Sequence, residues 1–250
     1  MQNKIKNILT KYPDGLVLQS SFLEREGYSY VLQQHYRKSG LLKLLGKGAM
    51  LKSDNDFLIF GALASLQQQS NHSVHIGGRT ALALLGQAHY LQINMQSVSL
   101  FKEPKDDLPK WFLSNQWDLE FEVFNISLFE DKFAGYKEYE SNGLTLKISN
   151  PAQALMECLS QCPDKFPLTE GYEIMENLLT LRPSAVQILL EQCKSIKVKR
   201  LFLYFAEKVG HSWFEDLDTS KIKLGKGVRR IVPNGKYVSK YELMLPEELV

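Results

Sequence analysis

The sequence predicts an α+β protein in which a small N-terminal module, residues 1–55, precedes a larger mixed domain, residues 56–250. Three observations favour this fold class. Short helical patterns and a glycine-marked hairpin fill the N-terminal module, strand patterns follow up to residue 148, and helical patterns dominate from residue 151 onward. The second domain is therefore expected to contain a small sheet and a helical bundle.

The composition is that of a globular chain. Of the 250 residues, 44% are hydrophobic and 23% are charged, so disorder of the whole chain is not expected. The most apolar window, residues 58–66, is too short and too interrupted by glycine to cross a membrane. Cys158, Cys162 and Cys193 are too few for a disulfide framework. These observations indicate a cytoplasmic protein without a membrane partner.

Charge is unevenly distributed along the chain, although the formal net charge is only +2. Residues 1–52 carry nine Lys or Arg and three Asp or Glu, whereas residues 103–140 carry ten acidic and four basic residues. Residues 221–240 contain seven basic residues and no acidic one. Because a protein that binds a polyanion needs its cations gathered on one surface, the N-terminal module is the first candidate for binding nucleic acid.

Two short helices are predicted at the start of this module. Residues 4–12 have helical spacing and end at a Pro-Asp-Gly turn. Ser21 and Glu24 have the spacing of a capping box that opens a second helix, which Gly27 ends.

A third helix, capped by Ser29 and ended by Gly40, carries side chains suited to reading DNA. On a helical wheel the inward side contains Val31, Leu32, His35 and Tyr36. The outward side contains Tyr30, Gln33, Gln34, Arg37 and Lys38. Gln can pair with adenine, Arg can pair with guanine, and Lys or Tyr can hold phosphates.

A basic hairpin follows, with Gly46-Lys47-Gly48 at its tip. Three helices and a basic hairpin are typical of a winged helix-turn-helix. The alternative is a protein-contact module whose polar stripe is a solvated surface; the basic charge favours DNA. The DNA-binding interpretation assigns contacts to Ser29, Tyr30, Gln33, Gln34, Arg37, Lys38 and Lys47. Gln33, Gln34 and Arg37 are expected on base edges, and Lys38, Lys47 and Tyr30 on the DNA backbone.

The second domain is predicted to begin with a strand at residues 74–76, a Gly77-Gly78 turn and a helix from Arg79 to Leu85. Such a turn can bind phosphate through backbone N–H groups, but no dinucleotide-binding or P-loop pattern follows, so a packing role is favoured. Further strands are predicted at residues 97–101, 119–124, 135–139 and 144–148, with a short helix at residues 107–112.

The chain is predicted to close with helices and a basic hairpin. Asn150 can cap a helix beginning at Pro151, and further helices are predicted at residues 170–181, 184–193 and 198–209. A turn at Pro233-Asn234-Gly235 is expected to join the two strands of the hairpin. This hairpin would present a second basic surface formed by Lys221, Lys223, Lys226, Arg229, Arg230 and Lys236. Such lysines can contact DNA phosphates, hold an acidic partner or protect an edge strand.

Two stretches carry a family resemblance. The first is Phe22-Leu23-Glu24-Arg25-Glu26-Gly27, followed by the third helix and the Gly46-Lys47-Gly48 turn, after which Ala49-Met50 stands in place of an aromatic residue. The second is His75-Ile76-Gly77-Gly78-Arg79-Thr80-Ala81-Leu82, continuing to Leu85-Gly86 and His89-Tyr90-Leu91. Together they resemble the AbiEi family of antitoxins from bacterial type IV, or AbiE, toxin–antitoxin systems.

The resemblance implies a transcription factor that represses its own operon by binding inverted repeats in promoter DNA. It also implies an antitoxin that counteracts a nucleotidyltransferase-like toxin encoded beside it. Direct contact with the toxin and indirect neutralisation both stay open.

A winged-helix nuclease or hydrolase is the alternative function. Glu138, Glu140 and Lys147 on neighbouring predicted strands are the nearest approach to the carboxylate and lysine cluster of a metal nuclease. The sequence has no G-x-S-x-G, H-E-x-x-H, kinase or P-loop pattern, and its cysteines and histidines lack metal-ligand spacing. We therefore expect a protein that is not an enzyme and needs no metal or cofactor, with Cys158 and Cys162 buried as structural thiols.

Overall fold

The computed structural model describes residues 8–53, 56, 58–87, 95–130 and 135–250. The chain divides into two compact units: Met1–His75, Met95–Asn125 and Glu138–Ile148 form the first, and Ile76–Asn94, Ile126–Lys137 and Ser149–Val250 form the second. The predicted fold class is confirmed, because a winged helix-turn-helix precedes a mixed region of small sheets and packed helices. The start of the predicted first helix and the His89-Tyr90-Leu91 stretch lie outside the described residues.

The winged helix-turn-helix contains the three helices and the hairpin expected from the sequence, together with a short strand, β1, that was not predicted. They are α1 (residues 8–11), β1 (Leu18–Gln19), α2 (Ser20–Arg25), α3 (Tyr30–Lys38), β2 (Leu42–Gly46) and β3 (Ala49–Lys52). The three strands form an antiparallel sheet in the order β1-β3-β2. Leu18, Leu23 and Leu51 are fully buried in this module, so the apolar side chains of the strands and of α2 share one core.

The start of α2 differs from the prediction. The helix begins at Ser20, directly after β1, and its N-terminal residue Gln19 makes no side-chain cap. Ser21 is therefore already inside the first turn, and the predicted capping box of Ser21 and Glu24 is wrong. The Gln19 side chain instead donates a 3.1 Å hydrogen bond to the Ser65 carbonyl.

The apolar window at residues 58–66 belongs to a helix, α4 (Ile59–Gln69), which the sequence analysis did not assign. Gln69 near the end of α4 accepts a hydrogen bond from the Gln19 N–H (2.8 Å) and donates one to the Val17 carbonyl (2.8 Å). Since β1 lies at the edge of its sheet, these contacts satisfy backbone groups that no neighbouring strand reaches.

The backbone of α4 closely approaches the loop before β1. A Cβ atom placed on Gly61 would lie 1.8 Å from the Gly15 carbonyl oxygen, and the Val17 N–H donates to the Gly61 carbonyl at 3.4 Å. Glycine at position 61 therefore permits a contact that any side chain would prevent.

A five-stranded sheet has the strand order β6-β5-β4-β8-β7. The strands are β4 (His75–Ile76), β5 (Ser97–Lys102), β6 (Glu120–Asn125), β7 (Tyr136–Ser141) and β8 (Leu144–Ser149), and a short helix, α6 (Lys110–Leu113), precedes β6. The sequence predicts each of these elements. Strands β5 and β6 are parallel, while β7 and β8 are joined by Asn142-Gly143, whose φ angles of 50° and 75° suit a tight hairpin turn.

Helices make up most of the second unit. They are α5 (Gly78–Leu84), α7 (Pro151–Ser160), α8 (Leu168–Asn177), α9 (Pro183–Gln192), α10 (Ile196–Val209) and α11 (Ser212–Glu215). The predicted cap of α7 is confirmed, because the Asn150 side chain accepts a 2.9 Å hydrogen bond from the Gln153 N–H. Of these helices, only the short α11 was not predicted. Within the described ranges, no helix combines the length and the apolar character needed to cross a membrane.

The Gly77-Gly78 turn is held by a buried carboxylate. The Gly78 N–H donates to Glu157 at 2.9 Å, and the same carboxylate accepts from the Ser149 hydroxyl (2.8 Å) and the Gln153 amide (2.9 Å). The backbone N–H that a phosphate would need is therefore occupied by the protein's own Glu157. This contact supports the packing role predicted for the glycine pair.

The C-terminal strands pair differently from the predicted hairpin. Strands β9 (Arg229–Arg230), β10 (Lys236–Val238) and β11 (Leu243–Leu245) form a sheet in the order β10-β11-β9. Strand β11 is antiparallel to β10 and parallel to β9. The chain does turn at Pro233-Asn234, but the strands on either side of this turn pair with β11 and not with each other. The prediction that the two strands flanking this turn pair as a hairpin is wrong.

A buried arginine explains this arrangement. Arg200 on α10 is 1% exposed and donates hydrogen bonds to the carbonyls of Leu224 (2.9 Å) and Gly227 (2.7 Å). It also donates to the carbonyl (3.2 Å) and the carboxylate (2.9 Å) of Glu242, the residue before β11. Arg200 thus holds the segment before β9 and the start of β11 at one point, which places these two strands side by side.

Candidate nucleic-acid interface

Helices α2 and α3 form a helix-turn-helix in which α3 occupies the position of the recognition helix. The predicted cap of α3 is confirmed, since the Ser29 hydroxyl accepts a hydrogen bond from the Leu32 N–H at 3.4 Å. Tyr36 is fully buried and fixes the inward side of α3 in the core. The helix ends before Gly40, whose φ of 77° reverses the chain toward β2.

Gln33 lies inside the module and not on its outer surface. Its side chain is 1% exposed and donates to the carbonyls of Ser20 (3.1 Å) and Tyr28 (2.8 Å), while its amide oxygen accepts from the Ser20 hydroxyl (2.5 Å). These three bonds join α3 to the start of α2 and to the turn between the helices. The prediction that Gln33 contacts base edges is therefore wrong, because its polar groups are already used inside the fold.

The outward face of α3 is rotated relative to the predicted one. Val31 and His35, predicted to face inward, are exposed, together with Tyr30, Arg37 and Lys38, and Gln34 is half-buried. With Gln33 and Tyr36 inward, the centre of the outward face passes through Val31, Gln34 and Lys38, spaced three and four residues apart. The structure thus keeps four of the predicted α3 side chains on the exposed face and adds Val31 and His35.

The wing is a hairpin of β2 and β3 that supports an exposed lysine. Lys47 lies at the tip between Gly46 and Gly48, and Gly48 has a φ of 81°. Beneath the tip, a Cβ atom on Gly46 would lie 2.8 Å from the Cβ of Trp111, and the Asn115 amide donates to the Leu45 carbonyl at 3.0 Å. These contacts hold the base of the wing in place. Ala49, where the family resemblance leads one to expect an aromatic side chain, is fully buried in the hairpin.

An open groove of about 620 Å³ runs between the end of α3 and the wing. Its lining residues are Gln34, Arg37, Lys38, Gly40, Leu42, Lys43, Leu44 and Ser53. Three of them are cations, so a strongly basic cleft lies directly beside the outward face of α3. Lys43 is an additional candidate for contacting DNA that was not predicted from the sequence. Its place in the groove depends on how β2 packs beside α3, which the residues around Lys43 in the sequence do not indicate.

Several N-terminal cations are used inside the first unit and not on this surface. The Lys52 ammonium is buried and donates to the carbonyls of Leu9 (2.8 Å) and Tyr12 (2.6 Å) and to Asp14 (2.8 Å). Lys11 pairs with Glu26. By contrast, Arg37, Lys38 and Lys47 have no side-chain partner among the described residues. Among the described cations of the module, Arg37, Lys38 and Lys47 are therefore available for a ligand.

The second basic surface lies on the C-terminal segment of the second unit. Lys221 pairs with Asp218 (3.1 Å) and Lys236 with Glu247 (2.9 Å), so both are partly neutralised. Lys223, Lys226 and Arg230 are exposed, and Arg229 is half-buried. Arg200 holds the loop that carries these side chains, so the surface has a defined shape even though the predicted hairpin is absent.

The candidate catalytic cluster does not form a closed site. Glu138 and Glu140 on β7 and Lys147 on β8 are exposed, and Glu140 accepts a hydrogen bond from the Thr145 hydroxyl at 2.5 Å. Within the described part of the chain, no group of three or more His, Cys, Asp or Glu side chains is arranged to hold a metal ion.

The cysteines are buried, as predicted for Cys158 and Cys162. Burial raises the pKa of the Cys158 thiol well above its usual value and raises the pKa of Cys162 to about 12. Burial likewise raises the pKa of Cys193 to about 11. All three side chains are therefore thiols near neutral pH, and a thiol is a poor nucleophile and metal ligand.

We expect the native protein to react very slowly with a disulfide thiol reagent at pH 8, because both burial and the raised pKa values suppress the reactive thiolate. Absorbance of the released thiol measures the reaction. The same protein in guanidinium is the control and should release three equivalents promptly, one for each free cysteine. Rapid reaction of a native thiol would contradict the buried arrangement.

Comparison with known families and structures covers nearly the whole chain. A family model described as the AbiEi antitoxin N-terminal domain of a transcriptional regulator matches residues 1–93. A second, described as a transcriptional regulator, AbiEi antitoxin of a type IV toxin–antitoxin system, matches residues 95–246. No curated protein matches significantly.

The fold also has a solved counterpart. The crystal structure of the RV2827C protein from Mycobacterium tuberculosis superposes with a TM-score of 0.55 at 14% sequence identity, covering 91% of this chain and 85% of that one. At this identity the likeness shows the fold alone.

Proposed function

Because this chain belongs to the AbiEi family of antitoxin transcriptional regulators of type IV toxin–antitoxin systems, we propose that it represses its own operon by binding inverted-repeat promoter DNA. The DNA-binding part is residues 1–55. One observation carries this proposal: Arg37 and Lys38 of α3 and Lys47 of the wing are exposed on one module and form no ion pair with any residue that the structure describes. A duplex presents a matching array of phosphates around a groove that admits a helix.

The contacts separate by chemistry. Arg37 can form a bidentate pair with guanine, and Gln34 can pair with adenine, so these two side chains are assigned to base edges. Tyr30, Lys38 and Lys47 are assigned to the DNA backbone, where they fix the register of the helix. Ser29 remains a capping residue whose place at the first turn of α3 also brings it near the DNA. An inverted repeat would place one copy of the protein on each half-site.

Residues 56–250 are proposed to act as the antitoxin domain and to counteract a nucleotidyltransferase-like toxin, in the cytoplasm and by binding, without catalysis or a cofactor. The exposed cations Lys223, Lys226 and Arg230 give this region a surface that suits an acidic partner or DNA phosphates. Repression and antitoxin activity then depend on different residues and can be separated by substitution.

The direct test is a gel-shift titration of the purified protein on its own upstream DNA at two salt concentrations. Arg37→Ala should weaken operator binding by about 1–3 kcal/mol with less effect on scrambled DNA, because it removes a base contact. Lys47→Ala should weaken binding to both DNAs and reduce the slope of log affinity against log salt by about 0.9, the value for one phosphate contact.

Lys105→Ala is the matched control, because Lys105 is an exposed lysine outside the winged helix. Its operator affinity and salt slope should equal those of the wild type. Equal affinity of the wild type for operator and scrambled DNA would refute the proposed repressor. In cells that express the neighbouring toxin, Arg37→Ala should lose repression and still protect growth.

A further inference from the structure

The outward face of α3 carries a side chain that forms no part of the basic groove. Val31 is 75% exposed, more than any other large hydrophobic side chain among the described residues. Folding provides no reason for valine at this position, because the side chain buries little surface and β-branching lowers helix propensity. Its surroundings are also not those of a core: Gln34 and Lys38 follow it along the same face.

We propose that Val31 reads the C5-methyl group of a thymine in the major groove, an inference that rests on the proposed DNA-binding function. Val31 lies in the first turn of α3, and the N-terminal residues of a recognition helix are those that reach base edges. The thymine methyl is the apolar group on the major-groove edges of the four bases. An exposed aliphatic side chain at this place therefore matches thymine and no other unmodified base.

The neighbouring residue on the same face supports the assignment. Gln34 lies one turn after Val31, and its amide can pair with the N6 and N7 groups of adenine. An A·T pair carries both the adenine edge and the thymine methyl. Val31 and Gln34 together thus form a reader of A·T base pairs, which adds a specificity for thymine to the guanine contact assigned to Arg37.

The test is a thermodynamic cycle on the operator identified by gel shift. Wild type and Val31→Ala are each titrated on the natural operator and on the same duplex with deoxyuridine in place of every thymine, which removes only the C5-methyl groups. The wild type should lose about fourfold in affinity for each half-site, the equivalent of ~0.8 kcal/mol for burying one methyl-sized group. Val31→Ala should bind the natural operator more weakly and should lose little further affinity on the deoxyuridine duplex.

Ile188→Ala is the control for an exposed aliphatic side chain, since Ile188 on α9 is 51% exposed and belongs to the second unit. It should keep the wild-type preference for thymine. Equal losses on deoxyuridine DNA for the wild type and Val31→Ala would overturn the role of Val31, because the methyl groups would then act through DNA shape alone. That result would leave the repressor intact, whereas failure to distinguish operator from scrambled DNA would overturn both proposals.

Discussion

Arg200→Met should lower the free energy of unfolding by about 3–5 kcal/mol, because it removes a buried guanidinium that donates several hydrogen bonds, and bonds to a charged group contribute about 1.5–3 kcal/mol each. Methionine retains much of the apolar volume but donates no hydrogen bond. The carbonyls of Leu224 and Gly227 would lose the Arg200 donor, while the Glu242 carbonyl would keep its 2.8 Å hydrogen bond from the Arg229 N–H. Guanidinium denaturation followed by circular dichroism measures the loss.

Lys208→Met provides the matched control on the same helix, because Lys208 is exposed near the end of α10. It should change the free energy of unfolding by about 1 kcal/mol or less, because it removes only cation–π contacts with Tyr172 and Tyr204, which contribute about 0.5–1 kcal/mol at exposed sites. If Arg200→Met were no more destabilising than Lys208→Met, Arg200 would not organise the C-terminal sheet in the way that its hydrogen bonds indicate.

Gly61→Ala is the second substitution with a large expected effect. The new Cβ would fall 1.8 Å from the Gly15 carbonyl oxygen, so two backbone segments must separate. We expect a loss of about 3 kcal/mol, at the upper end for overpacking, even though alanine favours a helix over glycine by about 1 kcal/mol. The shift of the thermal unfolding midpoint measures it.

Gly171→Ala tests whether the loss of stability in Gly61→Ala comes from the close backbone contact at Gly61 or from any glycine-to-alanine change within a helix. Gly171 also lies within a helix, α8, but the nearest atom to its added Cβ is the end of the Leu159 side chain at 3.0 Å. A side-chain end can move, so the change should stay within about 1 kcal/mol. Similar destabilisation by both substitutions would show that the contact between Gly61 and Gly15 has no special importance.

Local patterns account for most of the secondary structure. Asn150 followed by Pro151 identifies the start of α7, and strand alternation identifies β5 through β8, because these signals depend on residues close in sequence. The apolar window of α4 was not assigned. A short run of apolar residues fits a buried strand and a buried helix equally, and only its packing against β1 decides between them.

The candidate interface shows where local patterns are insufficient. A helical wheel with Val31, Leu32, His35 and Tyr36 inward puts Gln33 on the surface, but the carbonyls of Ser20 and Tyr28 require a donor inside the module. Because Gln33 donates these hydrogen bonds, its side chain lies inside the module, and Val31 on the opposite side of α3 is exposed. The prediction of the C-terminal hairpin was wrong for a similar reason. The pairing of β9 and β10 with β11 goes together with hydrogen bonds from Arg200, which is distant in the sequence.

Because Gln33 lies in the interior, the side chains that hold α3 in the module are different from the outward side chains that would contact DNA. The contacts that set the position of the helix come from Gln33 and Tyr36, and they involve none of the side chains at Val31, Gln34 or Lys38. The outward positions can therefore be exchanged on a constant scaffold. Related chains can diverge in the promoters that they recognise while preserving one module, and a library varied at these three positions offers a direct route to retargeting it.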